Sequence, residues 1–382
     1  MTKVQLEVRG KVAIATIDNP PVNALSAAVR EGLANAIKQA NADAAVVAIV
    51  IASAGKAFIA GADISEFGKP PAPSSLPDVL DAIEASKKPV VAAIQGVALG
   101  GGLEVALACH GRVALPAAKL GLPEIKLGLI PGAGGTQRLP RLIGAAKAFP
   151  MMLSGEPISA GRGLEYGLLD EVVSSDLVAA AIRLAEALAA EGRRPVTSEA
   201  TGELTEADRE AFETLAKDAL KKADGMPNVP ALVEAVRASF TLPFAEGAAV
   251  ERKLFLSLLV DERSKALRHV FFAEREVAKV PGIGPEVKPR EIASAAVIGA
   301  GTMGGGIAMC FANAGIPVTL IETAQAALDN GVNRIGAIYD ISVSRGSLTP
   351  EAKAGRMALI RPAVGLAAAA GADIVVEAAF EE

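Results

Sequence analysis

The sequence has no tryptophan, two tyrosines, two histidines and two cysteines in 382 residues. Cys109 and Cys310 lie far apart and without metal-type spacing, which excludes a disulfide framework and a zinc ribbon; both read as buried thiols of a reducing compartment. With 3% aromatic residues, the core has to be built from Ala, Val, Leu and Ile. Positive charge is not in excess: 38 Lys and Arg face 43 Asp and Glu, for a net charge of −5, so nothing favours a nucleic-acid or anionic-membrane partner. Gly, Gln or charged residues interrupt every long apolar stretch, and no membrane span is expected. No apolar segment follows the charges of "MTKVQLEVRG", so no signal peptide is expected. There is no internal repeat, no low-complexity tail and no candidate metal site.

What is present is abundant core material, 51% hydrophobic, over a length that implies about two or three domains. "KVAIATID" (11–18), "AVVAIVIAS" (45–53), "PVVAAIQG" (89–96) and "HGRVALP" (110–116) read as strands. Between the first two, "ALSAAVREGLANAIKQA" (24–40) has apolar residues at helical spacing, with Ser26 as its cap. Such βα units define an α/β domain. "GKPPAPSSLP" (68–77) reads as a surface loop. From about Asp176 to Val280 strand signals fade into helices, and "PGIGPEVKPRE" (281–291) reads as a linker, after which the α/β pattern restarts.

The stretch 97–139 places two glutamates, Glu104 and Glu124, in apolar surroundings beside Gly100, Gly101 and Gly102. A glycine turn before the helix "LEVALAC" lets backbone N–H groups approach a ligand, at the positive end of the helix. A second turn, "FIAGADI" (58–64), offers another N–H. Two such donors on one oxygen would form an oxyanion hole, on a scale of roughly 3 kcal/mol per donor. Taken singly, each feature has a plainer reading: a tight turn, and two first-turn acids, one following Pro123. Cys109 and His110 are sequence neighbours without a partner acid and are not read as a nucleophile and base.

Four blocks, in order, change the balance: "NPPVNALS" (19–26), "KAFIAGADI" (56–64), "KPVVAAIQGVALGGGLEVALACHGRVA" (88–114) and "LGLPEIKLGLIPGAGGTQRLPRLIG" (120–144). Together they resemble the enoyl-CoA hydratase/isomerase (crotonase) superfamily. The resemblance implies that the N–H groups of Ala62 and Gly101 hold the thioester carbonyl of an acyl-CoA. It implies that Glu104 activates water, that Glu124 exchanges a proton at Cα, and that the turn containing Ala60, Ala62 and Asp63 lies along coenzyme A. With both glutamates present, the implied reaction is hydration of 2-trans-enoyl-CoA to 3-hydroxyacyl-CoA. Δ3-to-Δ2 enoyl isomerisation, with Glu124 shuttling the proton, is the related alternative.

A second site follows the linker. Gly299, Gly301 and Gly304 form G-x-G-x-x-G, with Thr302 and Met303 inside it, between a strand-like run and a helix. A second strand ends at Glu322, the acid expected on the adenosine ribose diol, which selects NAD over NADP by repelling a 2′-phosphate. The stretch "GAGTMGGGIA" resembles the start of the 3-hydroxyacyl-CoA dehydrogenase Rossmann domain, and by the same resemblance "VVEAAF" places Glu377 and Ala378 beside NAD. The whole order, with "SKALRHVFFAERE" (264–276) in the linker, resembles the multifunctional β-oxidation enzymes of the peroxisomal and bacterial α-subunit type.

The expected fold is therefore α/β, with a crotonase-like ββα-repeat domain at 1–190, a helical linker at 191–290 and the N-terminal half of a Rossmann domain at 291–382. The chain is expected to be a truncated version of the longer family proteins. Their dehydrogenase His–Glu pair has no match, since the two histidines, His110 and His269, both precede the fingerprint. Hydride transfer with a histidine base is accordingly not expected here, and half a parallel sheet should leave an unpaired edge. A bifunctional hydratase/NAD-dependent dehydrogenase and a binding protein without activity are the competing readings. A homo-oligomer is left open. The expected location is cytoplasmic, or peroxisomal in a eukaryote although no C-terminal targeting tripeptide is present.

Overall fold

Strands without a polar face need cover on both sides, and the sheet of the first unit has it. In the computed structural model, which describes residues 3–67, 74–277, 279–284 and 286–379, the chain forms two compact units, Met1–Lys279 and Val280–Glu382. The first begins with β1 (Val4–Arg9), β2 (Val12–Ile17), α1 (Ala27–Ala42), β3 (Ala48–Ser53), α2 (Leu76–Glu84), β4 (Val90–Ile94) and β5 (Val97–Leu99). Then come α3 (Gly101–Ala108), β6 (Gly111–Ala114), β7 (Lys119–Gly121), α4 (Gly135–Ile143), α5 (Ala145–Ser154), β8 (Ile158–Ser159), α6 (Ala160–Glu165), β9 (Glu171–Val172) and α7 (Leu177–Ala190). Helices α8 (Glu206–Lys221), α9 (Asn228–Thr241), α10 (Phe244–Leu259) and α11 (Glu262–Glu276) complete it.

The main sheet runs β1-β2-β3-β4-β6-β9, parallel except for the β1–β2 pair. Side chains alternate between its faces. Ala13, Ile17, Ile49, Ile51, Ala92 and Ile94 join the main core, while Val12, Ile14, Val50, Val91 and Val113 pack under α7. The strands expected at 11–18, 45–53, 89–96 and 110–116 are β2, β3, β4 and β6. Ser26 stands at the N-cap of α1 but makes no capping bond; the Glu66 carboxylate accepts the Ala27 N–H at 2.9 Å in its place. Residues 68–73 of the expected loop lie outside the described residues, and Ser75 caps α2.

The helices of the expected linker region, 191–290, read as packing on and spacing apart the flanking units, pack into the first unit, and the contacts divide the chain near Lys279. The reason is apolar burial. Phe212, Leu232, Val236 and Phe255 belong to the main core, and Phe212 meets Phe149 edge to face at 5.3 Å. Asp208 of α8 accepts the Ala145 and Ala146 N–H groups that open α5, at 2.7 and 2.9 Å.

The second unit contains β10 (Ala295–Ile298), α12 (Thr302–Asn313), β11 (Val318–Glu322), α13 (Gln325–Ser344), α14 (Pro350–Ala358), β12 (Ile360–Val364) and β13 (Ile374–Glu377). Its four strands are parallel in the order β12-β11-β10-β13. Strands β12 and β13 are its edges among the described residues, with Ile374 and Val375 of β13 exposed. Cys310, expected to be buried, is exposed. The buried side of α12 carries Gly304, Gly305, Ala308 and Ala312, and Cys310 sits on the opposite side of the helix. Among the described residues no helix is long and apolar enough to cross a membrane.

Candidate active site and dinucleotide turn

The two turns expected to supply N–H donors meet in space. Segment 57–62 runs beside β5: Ile59 N–H donates to Val97 O at 3.1 Å and Leu99 N–H to Ile59 O at 3.0 Å. The chain then turns through Gly100, at φ +52°, into α3. No side chain fits this crossing. A methyl on Gly102 would lie 2.2 Å from Ile59 O, and one on Gly101 would lie 3.6 Å from the Ala62 nitrogen. The backbone around Ala62 and that around Gly101 are thus adjacent at the wall of a cavity of about 650 Å3, a size typical of small-molecule sites. Ala60, Ala62, Asp63, Gly101, Glu104 and Glu124 all line it, with Phe67, Phe255, Leu256 and Leu259 as an apolar wall.

Glu104 and Glu124 share that cavity in different environments. Glu104, 3% exposed, accepts the N–H groups of Ala133 and Gly135, both at 2.9 Å. Burial raises its pKa, while the two backbone donors and then Arg138 and Arg252 pull it back. Glu124 follows Pro123 in a short 3-10 turn, Glu124–Leu127, and its Oε2 is buried without a hydrogen-bond partner. Burial first, and the charge of Glu104 second, hold its carboxyl well above the ordinary glutamate range. Burial raises both carboxyls; two backbone donors counter it at Glu104, while the charge of Glu104 adds to it at Glu124. Because they interact, they titrate as a set.

A third carboxylate, Glu251, was missed by the sequence reading. It is fully buried on α10 and accepts from Gly134 N–H at 2.5 Å, Thr136 N–H at 2.8 Å and the Thr136 hydroxyl at 2.6 Å. Its signal was present: the buried residues of α10 are Gly247, Glu251, Phe255 and Leu258, so the acid lies in the apolar stripe. Cys109 and His110 take no part in the site. Cys109 is buried, with its pKa pushed up to about 12, and its Sγ–H donates to Val105 O. His110 Nδ1 accepts the Val90 N–H at 2.9 Å, and burial lowers its pKa.

In the second unit the predicted fingerprint residues come together at the ends of β10 and β13. Gly299 has φ +103°, and a methyl there would lie 2.5 Å from Ala378 O. One on Gly304 would lie 1.7 Å from Gly299 O, so α12 rests directly on the turn. Around Gly301 the space is open, and Thr302 and Met303 are exposed at the helix start. Glu322 reaches the same turn, its Oε1 accepting the Ala300 N–H at 2.8 Å. Glu377 pairs in register with Ile298, directly before the turn. This cradle fits a dinucleotide pyrophosphate: bare backbone, a helix N-terminus and an acid at the end of the neighbouring strand β11.

Fold and site define an α/β protein of the crotonase kind joined to a dinucleotide-binding unit. Residues 7–222 match the enoyl-CoA hydratase/isomerase family, and residues 294–382 match the NAD-binding domain of 3-hydroxyacyl-CoA dehydrogenase. The chain belongs to the enoyl-CoA hydratase/isomerase family. The peroxisomal bifunctional enzyme of Danio rerio is 41% identical over 383 residues, covering 98% of this chain and 52% of its own length. The peroxisomal fatty acid beta-oxidation multifunctional protein of Oryza sativa subsp. japonica is 40% identical over 395 residues, covering 100% of this chain and 54% of its own. The chain thus spans about half the length of the curated relatives it matches. A carnitinyl-CoA dehydratase structure from Mycobacterium avium 104 is 31% identical, with a TM-score of 0.53, covering 71% of this chain and 97% of that one.

Proposed function

We propose that the first unit hydrates 2-trans-enoyl-CoA thioesters of fatty-acid β-oxidation to 3-hydroxyacyl-CoA. One observation carries the reading: Glu104, held by two backbone amides, and Glu124, with an unpartnered carboxyl oxygen, line one cavity beside the backbone of Ala62 and Gly101. The Ala62 and Gly101 N–H groups take the thioester oxygen and stabilise the enolate. Charged Glu104 accepts a proton from water as its oxygen adds to Cβ, and protonated Glu124 delivers a proton to Cα. Ala60 and Asp63 lie along the coenzyme A portion. The same Glu124 carboxyl, alternately giving and taking a proton, serves Δ3-to-Δ2 isomerisation as the minor activity. The test mixes the purified chain with crotonyl-CoA and follows the absorbance of the conjugated thioester. Its loss supports the reading, and unchanged absorbance at high enzyme concentration rejects it.

A second reading concerns NAD, favoured by the Gly299–Gly304 cradle and Glu322. The Gly301, Thr302 and Met303 amides would hold the pyrophosphate, Gly299 and Gly304 would permit its approach, and Glu322 would receive the ribose hydroxyls. Glu377 and Ala378 would line the same site. Bound NAD supplies a hydride acceptor for a 3-hydroxyacyl-CoA. Calorimetric titration should show NAD binding and markedly weaker NADP binding; equal affinities would remove the role of Glu322. The compartment that follows from both readings is that of β-oxidation, cytoplasmic or peroxisomal.

A further inference from the structure

The two glutamates of the first cavity are fixed by different means. Glu104 is held at its carboxylate, by the amides of Ala133 and Gly135. Glu124 has an unpartnered Oε2, so the turn that carries it, not an anchor on that oxygen, sets where its carboxyl stands. That 3-10 turn is four residues long, Glu124–Leu127, and a turn so short leaves carbonyl capacity for outside donors. Two side chains from later helices supply them. Asn228 Nδ2, at the start of α9, donates to Ile125 O at 3.0 Å. Ser264 Oγ, in the first turn of α11, donates to Leu127 O at 3.0 Å. Glu124 and Leu127 line the cavity and Asn228 and Ser264 do not, so the turn is gripped away from the substrate side. We infer that Asn228 and Ser264 are positioning residues of the hydration site, holding the Glu124 turn by its carbonyls and so fixing the group that delivers a proton to Cα.

The inference rests on the hydratase reading for its catalytic consequence; the grip on the turn stands on contacts alone. Both donors are buried, Ser264 completely, and Asn228 stays buried although its Oδ1 has no partner. Burying an amide with an unpaired oxygen is unfavourable, and the bond to Ile125 O is what that burial secures. There is no slack beside Ser264. Gly128 ends the turn at φ +69°, and a methyl on it would lie 2.9 Å from Ser264 Cα. A third side is closed by Gly155, where a methyl would lie 3.0 Å from Ile125 Cγ2. Helices α9 and α11 lie beyond the 7–222 family match, and their two side chains reach back over 103 and 137 residues. A buried carbonyl that loses its donor shifts to find another, and the carboxyl on the same turn shifts with it. Proton delivery then suffers, because it requires the donor within hydrogen-bond reach of the reacting atom.

The experiment is a double-mutant cycle of Ser264→Ala with Glu124→Gln, read as kcat and KM of crotonyl-CoA hydration by the full chain. Ser264→Ala should lower kcat about tenfold with KM changed by less than about threefold, since a displaced reacting group costs rate and not binding. In the Glu124→Gln background the same change should cost less than about twofold, because the carboxyl it positions is gone. Equal losses in both backgrounds would show a merely structural role and overturn the proposal, as would an unchanged kcat in the single variant. Asn228→Leu should behave in the same way; if it does not fold, Ser264→Ala, which removes one oxygen, decides alone. Carbon-13 NMR of glutamate-labelled, ligand-free chain reads the positioning without turnover. The Glu124 carboxyl signal, identified by its absence in Glu124→Gln, should move in Ser264→Ala, while the Glu104 signal, identified through Glu104→Gln, stays in place. An unmoved Glu124 signal also overturns the proposal. A moved signal in a chain that does not hydrate crotonyl-CoA would reject the hydratase reading and leave the positioning standing.

Discussion

Both units carry a glycine-rich turn between a strand and a helix, yet the two turns are put to opposite use. In the first, Gly100–Gly102 is enclosed by residues far away in sequence: Ile59, Leu76 and Glu124 lie within contact of methyls built on the three glycines. In the second, Gly299 and Gly304 are hemmed in by backbone of their own sheet, while Gly301 faces open space and Met303 is 72% exposed. A buried turn can hold carboxyls at unusual protonation, because desolvation acts on them. An exposed turn offers amides and a helix dipole to a charged ligand arriving from water. The same local sequence grammar thus serves acid–base chemistry in one place and anion recognition in the other, and the surroundings decide which.

The comparison breaks most visibly at Glu124. Glu124→Gln should lower kcat for hydration by about 10³-fold while coenzyme A thioester binding, measured by calorimetry, stays within about threefold. Retained turnover would end the assignment. Glycine substitutions sharpen the contrast next. Gly102→Ala forces a methyl against Ile59 O and should cost the first unit about 3 kcal/mol, read as a lowered denaturant midpoint. Gly301→Ala meets nothing within 4 Å and should leave unfolding unchanged while weakening NAD by about tenfold through the blocked approach of the pyrophosphate.

A smaller effect comes from Glu251. Its carboxyl holds a proton more tightly in the folded chain than in the unfolded one, between the ordinary value of 4.5 and about 8. The folded state therefore binds more protons in that window, and this contribution to stability, complete below about pH 4.5, is lost as pH rises through about 8. Denaturant melts of Glu251→Gln should show a flatter fall across the window than wild type; an identical slope would contradict the shift. At the small end, Arg162→Ala removes a solvent-exposed pair with Glu165 on α6 and should leave the melting curve unchanged.

Much of this was legible in the residues. The strands at 11–18, 45–53, 89–96 and 110–116 announce themselves because parallel strands buried on both faces are continuous apolar runs. The Gly299–Gly304 fingerprint and Glu322 are legible because their logic is local: strand, turn, helix, strand. The helices between Asp176 and Val280 were recognised as helices that pack on and space apart the flanking units, but helical periodicity says which face is apolar and not which unit it packs against. Ser26 was read as a cap from its position, and only the fold brings Glu66 to that amide first. Cys310 was read as buried from its residue type, and the orientation of α12 puts it outside.

The amino-acid sequence by itself determined the order of elements, the two glycine turns, and the identity of Glu104 and Glu124 as the acids beside the first of them. Only the tertiary structure decided the hydrogen-bond partners of those acids and brought Glu251 to the same stretch of backbone from more than a hundred residues away. The physical reason is that a carboxyl answers to desolvation, neighbouring charge and available N–H donors. All three are properties of what surrounds a carboxyl in space, and that surrounding exists only once α10 has packed against the start of α4.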